Sequence, residues 1–187
     1  MTRLLCILPF AAYLSYVAGA SGACESDVVN NIQTSRKGID DSPFLNILGD
    51  YDVVYVSGSS SAPAGFTNDT CQFSTFYKDS DGNQRSSHNG VLKGSYILGY
   101  KDGKELVIDP NTGDVLRYTY VVYHSPDYSV CACYSCSVSG ANVSAGSVLV
   151  NKGVLKASCT SKLVNAAKQA LAKVGLKYGT SLTACYN

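Results

Sequence analysis

The 187-residue sequence has no tryptophan, one methionine and only two histidines, His88 and His124. So few histidines leave a His-rich metal centre without ligands. Cys133-x-x-Cys136 resembles half of a zinc site, but no second Cys-x-x-Cys completes it, so no metal is expected. An excess of charge of one sign is also missing. Fifteen basic residues stand against 14 acidic ones, a net charge of +1. That balance carries neither the basic footprint of a nucleic-acid binder nor that of a protein held on an anionic membrane. The chain contains no Gly-x-Ser-x-Gly, no P-loop and no metal-ligand cluster. A non-enzyme that requires no cofactor is the expectation.

What is present begins with the first 23 residues. Met1-Thr2-Arg3 is a short positive start, residues 4–17 are almost wholly apolar, and Ala18-Gly19-Ala20 and Ser21-Gly22-Ala23 follow. This is the pattern of a signal peptide, with cleavage after Ala20 or after Ala23. The apolar run is shorter than the roughly 20 residues of a spanning helix, and nothing later is apolar enough to be transmembrane. Residues 24–187 are then expected to form a single secreted, extracellular domain, a length that buries roughly 70% of the unfolded surface.

Cysteine supports that compartment. Of the eight, Cys6 leaves with the leader, and Cys24, Cys71, Cys131, Cys133, Cys136, Cys159 and Cys185 remain. In an oxidising environment these make up to three disulfides and one leftover thiol. Asn68-Asp69-Thr70 and Asn142-Val143-Ser144 are glycosylation sequons at Asn68 and Asn142.

Between residues 49 and 150 the chain reads as strand after strand. Residues 50–57, 71–78, 85–92, 95–100, 105–109, 115–124, 128–138 and 147–151 are the eight candidates. Lys101-Asp102-Gly103-Lys104 is a hairpin turn with Asp-Gly at its centre. In the longest strand Leu116, Tyr118, Tyr120, Val122 and His124 share one face, with Arg117 and Thr119 on the other. Eight short strands with small turns make an antiparallel meander, closed into a barrel or folded as a sandwich. Residues 161–174 then place Leu163, Ala167, Ala170, Leu171 and Val174 on one stripe of a helix, with Gly175 placed to end it.

Eight strands and one helix behind a signal peptide resemble the lipocalin order. Leu48-Gly49-Asp50-Tyr51-Asp52-Val53-Val54 resembles the family's Gly-x-Trp entry to the first strand, with Tyr51 in place of tryptophan. His124-Ser125-Pro126-Asp127-Tyr128 lies where the family carries Thr-Asp-Tyr, and residues 128–136 resemble the cysteine-bearing strand that follows. Ser147-Val148-Leu149-Val150-Asn151-Lys152 sits at the third motif, with Lys152 where arginine is usual. The resemblance implies an all-β, eight-stranded antiparallel up-and-down barrel with one C-terminal helix packed outside. It also implies Tyr51 packed over Lys152 at the closed end.

The cysteines favour the apolipoprotein D, insecticyanin and crustacyanin branch, of arthropod type. That resemblance implies a Cys71–Cys185 bridge and a bridge from Cys24 to Cys136 or Cys133. Cys159 is then expected to bridge to the seventh strand, with Cys131 the candidate free thiol. A lipocalin-like barrel binds through its interior, and strand parity nominates Tyr51, Val53, Tyr55, Phe73, Tyr77, Tyr96, Leu98, Tyr118, Tyr120 and Val122 as its lining. Tyrosines offer flat surface with a hydroxyl at one end, which suits a tetrapyrrole, retinoid, carotenoid or sterol. The expected function is a secreted carrier of such a small hydrophobic ligand, a bound chromophore or lipid. The rival reading is a salivary-type lipocalin that binds or inhibits a macromolecule through its loops, with a homo-oligomer or protein partner. His88, in a polar stretch, is read as a surface residue.

Overall fold

A computed structural model describes residues 24–41, 43, 47–89, 94–138, 144–155 and 159–185. Residues 1–23, where a leader is expected, and Asn142 of the second sequon lie outside the described residues, as do residues 90–92 of the third candidate strand. A helix α1 (Ser26–Ser35) is followed by β1 (Gly49–Gly58), β2 (Phe73–Lys78), β3 (Gln84–Asn89), β4 (Gly94–Lys101) and β5 (Lys104–Ile108). Then come β6 (Val115–His124), β7 (Val130–Ser137), β8 (Ala145–Asn151), α2 (Thr160–Lys173) and β9 (Tyr178–Ser181). The hairpin expected at Asp102-Gly103 forms with both residues at positive φ, 52° and 75°. That backbone matches the twist of the flanking strands and leaves Lys101 opposite Lys104.

Each strand from β1 to β8 pairs antiparallel with the next, and β8 returns to β1 through Tyr51–Ser57. The first half of β1 pairs with β2, from Gly49 opposite Phe76 to Asp52 opposite Phe73. Its second half pairs with β9, from Tyr55 opposite Ser181 to Gly58 opposite Tyr178. The result is a closed eight-stranded up-and-down barrel with one extra strand, and α2 packs against its outside. Closure removes the unpaired edges that an open sheet would present.

Two apolar cores lie on opposite sides of the barrel wall. The outer one gathers Val28 and Ile32 of α1 with Ala167 and Leu171 of α2, and Val174 and Leu176 beyond it. All pack on Tyr120, Val122, Val130, Ala132, Tyr134, Val148 and Val150. Tyr134, Leu171, Leu176, Val130, Val148 and Val150 are fully buried there, each contributing about 1.5–3 kcal/mol by burial for the aliphatic members. The inner core, with Ile47, Tyr51, Phe76, Leu98, Val107, Val121, Cys131, Cys133 and Leu149, fills one end of the barrel.

Cys24–Cys136 ties the N-terminal segment to the outer face of β7, and Cys71–Cys185 ties the loop before β2 to the C-terminal tail. Cys131, Cys133 and Cys159 are free. The bridge expected from Cys159 to the seventh strand is therefore absent. Cys131 and Cys133 face inward with the inner core, while Cys159 is exposed at the start of α2, so the sheet itself separates them. The closed-end pairing also differs from expectation. Lys152 Nζ lies 4.6 Å over the Phe73 ring and 3.9 Å from the Asp52 carboxylate, instead of meeting Tyr51.

Candidate ligand cavity

Inward positions alternate along each strand, and above the apolar floor they leave a cavity of about 380 Å³. One wall is apolar, with Val53 and Val56 of β1 and Leu149 of β8, and the loop after β1 adds Ala64, Gly65 and Phe66. The other wall is polar. Ser74 comes from β2, Ser86 and His88 from β3, Tyr96 from β4, Glu105 from β5, Arg117 and Thr119 from β6, and Ser135 from β7. The volume falls within the usual 300–1,000 Å³ of small-molecule sites.

The polar groups are wired to one another. His88 Nδ1 is 2.7 Å from Ser74 Oγ and His88 Nε2 is 3.0 Å from Ser86 Oγ. A hydroxyl serves as donor or acceptor, so this pair suits a neutral imidazole in either tautomer. Burial, with the nearby Arg117 charge, pushes the His88 pKa down to about 3. Thr119 hydrogen-bonds the Glu105 carboxylate and lies 3.1 Å from Ser135 Oγ. Burial raises Glu105 to about 7, against the pull of Arg117 and Thr119. Arg117 points into the barrel and is half-buried, and burial presses its pKa down while Glu105 opposes that. Its Nε is buried without a hydrogen-bond partner.

The ten residues nominated from parity divide between the two faces. Tyr51, Val53, Tyr96 and Leu98 face inward, with Tyr51 and Leu98 in the floor and Val53 and Tyr96 on the cavity wall. The Tyr51 hydroxyl donates to the Tyr128 carbonyl at 3.1 Å. Tyr55 lies outside because the register of β1 shifts between Val53 and Tyr55, so Val56 takes the inward position. Its ring rests against Gly179 of β9 and beneath Lys168, 4.6 Å away. Tyr118, Tyr120 and Val122 belong to the outer core, Tyr118 also lying under Lys104 at 4.4 Å. The reason is that α1 and α2 cover the outside of β6, so its outer face is the more apolar one. Tyr77 is outside as well, its hydroxyl 2.7 Å from Ser95 Oγ. Phe73 borders the cavity, but its ring lies beneath Lys152. Phe76, between those two, is the buried inward aromatic of β2.

Parity missed Glu105, Arg117, Thr119, Ser135 and His88, which all face the cavity. His88 is no surface residue but sits between two serines inside the barrel. A usable signal exists in the amphipathic helix that follows the strands. Such a helix needs an apolar sheet face to lie on, and the continuous Tyr118-x-Tyr120-x-Val122 row supplies it, which turns Arg117 and Thr119 inward.

Neither a protein-family model nor a curated protein matches the sequence. Solved structures do. The siderocalin Ex-FABP aligns over 74% of this chain and 95% of its own, with a TM-score of 0.53 at 8% identity. Lipocalin 12 from rat epididymis aligns over 71% of this chain and 79% of its own, with a TM-score of 0.52 at 12% identity. The amine-binding protein of Rhodnius prolixus, in its tryptamine complex, is 21% identical over 74% of this chain and 78% of its own, with a TM-score of 0.45. At these identities the likeness concerns architecture, and the closed barrel with its flanking C-terminal helix has the lipocalin fold.

Proposed function

We propose that this chain is an extracellular carrier that holds a small, largely hydrophobic molecule inside its barrel. The observation that carries this reading is the cavity of about 380 Å³, apolar on one wall and polar on the other, within a closed sheet. A pre-formed cup loses little ordering entropy when it is filled, so binding energy is not spent on organising the site. The lipocalin neighbours support a binding role over a catalytic one. Secretion is supported by the two disulfides and by the leader pattern. Asn68, exposed on the loop after β1, is the proposed glycosylation site within the described residues. No helix among the described residues is long and apolar enough to cross a membrane.

Within the proposed ligand set, the cavity favours a molecule with a polar group over a bare hydrocarbon, because Glu105, Arg117 and His88 would lose solvation against an all-apolar ligand. Native mass spectrometry of protein purified from its natural source, with an absorbance spectrum of the same sample, tests the carrier reading. A discrete extra mass of a few hundred daltons that is lost on denaturation is the expected result. Protein that carries no such mass, and binds no retinoid, sterol, fatty acid or tetrapyrrole, would overturn it.

A further inference from the structure

Among the described residues that line the cavity, Arg117 is the only lysine or arginine and Glu105 the only carboxylate. They do not neutralise each other by contact. Arg117 makes no ion pair within 4 Å among the described residues, and its Nε lacks any partner although it is buried. A buried guanidinium N–H with no partner is a donor waiting for an acceptor, since a buried unsatisfied donor is costly. Glu105, by contrast, is already engaged by Thr119.

The register fixes how the two groups stand. Glu105 pairs with Thr119, and Val107 with Arg117, across β5 and β6. Arg117 is therefore one inward position nearer the end of the barrel where the loop after β1 lies, and Glu105 sits one level deeper. Inward positions along a strand are roughly 6–7 Å apart. An anion placed against Arg117 would lie about that far from the Glu105 carboxylate, which is itself buried. Two like charges so placed are strongly unfavourable, so one of them must be neutral.

The surroundings of Glu105 decide which. Tyr100 of β4 is its cross-strand partner, and Tyr96 on β4, His88 on β3, Arg117 and Thr119 on β6, and Cys133 and Ser135 on β7 line the same cavity. Arg117 remains charged at all working pH. Burial holds His88 and Cys133 in their neutral forms near neutral pH. Glu105 is the group balanced near neutrality. The permanent charge in the cavity is thus positive, and the adjustable one is the carboxylate.

Resting on the carrier reading above, we propose that the cavity takes an amphipathic monoacid whose carboxylate sits against the Arg117 guanidinium while Glu105 holds a proton. Binding at alkaline pH then takes up one proton per ligand from solution. The chemistry is shared by fatty acids and by other lipophilic carboxylic acids, and the apolar wall of Val53, Val56, Phe66 and Leu149 receives the tail.

The test compares three probes of one chain length on the purified protein: dodecanoate, 1-dodecanol and dodecylamine, by calorimetric titration at about pH 6 and about pH 8.5. At the lower pH dodecanoate is expected to bind about tenfold tighter than dodecanol, the size of a charge-assisted hydrogen bond, and dodecylamine more weakly than either. Dodecanoate should lose up to about tenfold in affinity per pH unit above neutrality, the limit for one linked proton. Titration in two buffers of different ionisation heat should report uptake approaching one proton. Arg117→Gln is expected to erase the preference for the acid while dodecanol still binds. Glu105→Gln, which keeps the neutral shape, should flatten the pH dependence at the tight limit.

Equal affinity for acid and alcohol in the wild-type protein, or a flat pH profile for the acid, overturns the proposal and leaves the carrier reading standing. A preference for dodecylamine overturns it and gives the anchoring role to Glu105. If none of the three binds, this proposal falls, and the search for a cargo by native mass spectrometry decides the carrier reading separately.

Discussion

The carboxylate of Asp52 accepts a hydrogen bond from the backbone N–H of Cys185 at 3.0 Å, joining the first strand to the last described residue of the chain. Asp52 is fully buried on the outer face of β1, with Lys152 Nζ 3.9 Å from its other oxygen. Burial raises its pKa, and the Lys152 charge and the Cys185 N–H oppose that. This cluster also holds Phe73 under Lys152 and Cys185 in its bridge to Cys71. The C-terminal tail is thus fastened twice at one point, covalently and through a charge-assisted hydrogen bond.

Replacing Asp52 with Ala leaves the Cys185 N–H unsatisfied and Lys152 without its acid. A loss of about 1–3 kcal/mol of stability is expected, the cost of a buried orphan donor. The Cys71–Cys185 bridge should also become reducible at a lower concentration of thiol, because the tail frays more often. Denaturant unfolding and a reduction time course check both. A variant as stable as the parent would show that the disulfide alone holds the tail.

Gly146 of β8 lies against Leu171 of α2 and Leu176 just beyond it. A Cβ there would meet Ser57 Oγ at 2.8 Å and Leu171 Cδ2 and Leu176 Cδ1 at 2.9 Å each. Leu171 and Leu176 are fully buried, so they have no room to yield. Gly146→Ala should cost about 1–3 kcal/mol by overpacking, visible as a lowered denaturation midpoint. The double variant with Leu171→Ala should lose less than the sum of the two single losses, since removing the Leu171 methyls relieves part of the clash. An unchanged midpoint for Gly146→Ala would mean that the helix rides further from the sheet.

The strands were largely legible because their turns are chemically explicit. The bounds of β6, Val115–His124, follow from the sequence as they stand, and Asp102-Gly103 places the β4–β5 hairpin. The faces were not legible to the same degree. In β6 the more apolar parity, Tyr118, Tyr120 and Val122, packs outward under the helices while Arg117, Thr119 and Val121 look inward, so alternation alone cannot say which face enters the barrel. In β1 the register shift after Val53 moves Tyr55 out and Val56 in, and no local residue announces it. The helix α1 carries Val28 and Ile32 one turn apart, a readable stripe that the strand pattern obscured. β9 is four residues long and takes its place from the free half of β1, a tertiary cause without a sequence signal. The polar wall was hidden for the same reason as the faces: Glu105 and Arg117 read as solvent-facing until the helices are seen to occupy the outside.

The three free thiols should differ sharply in reactivity. Cys131 and Cys133 are buried in the barrel, whereas Cys159 is exposed at the start of α2. Burial pushes Cys131 up to about 12 and Cys133 well above the ordinary thiol value. Since the thiolate is the nucleophile, both should be inert in the folded state. Protein beginning at Cys24, and so without Cys6, is expected to release one equivalent of chromophore from an aromatic disulfide reagent when native and three when unfolded without reductant. Two or more equivalents from the native protein would show that the barrel floor opens on the timescale of the reaction.

Glu105 makes stability depend on pH in a direction opposite to that of a salt-bridged acid. Its pKa rises on folding from about 4.5 to about 7, because burial disfavours the carboxylate more than Arg117 and Thr119 restore it. The folded state therefore binds more protons than the unfolded one between those values, and stability falls as pH rises through that window. The full effect is up to about 3 kcal/mol at pH 8 relative to pH 4, since each tenfold change in proton affinity on folding is worth about 1.4 kcal/mol. His88 works the other way: its pKa falls on folding from 6.5 to about 3, so acid below about pH 6.5 weakens the fold. Between pH 4.5 and 6.5 the two oppose each other, which is why the variant is more informative than the parent. Glu105→Gln should stabilise the ligand-free protein at pH 8 and leave it little changed at pH 4, where the parent's own carboxyl is protonated when folded. Denaturant unfolding of both proteins across that range checks it. A Glu105→Gln protein that is less stable than the parent at pH 8 would mean that the ionised carboxylate, held by Arg117 and Thr119, supports the barrel.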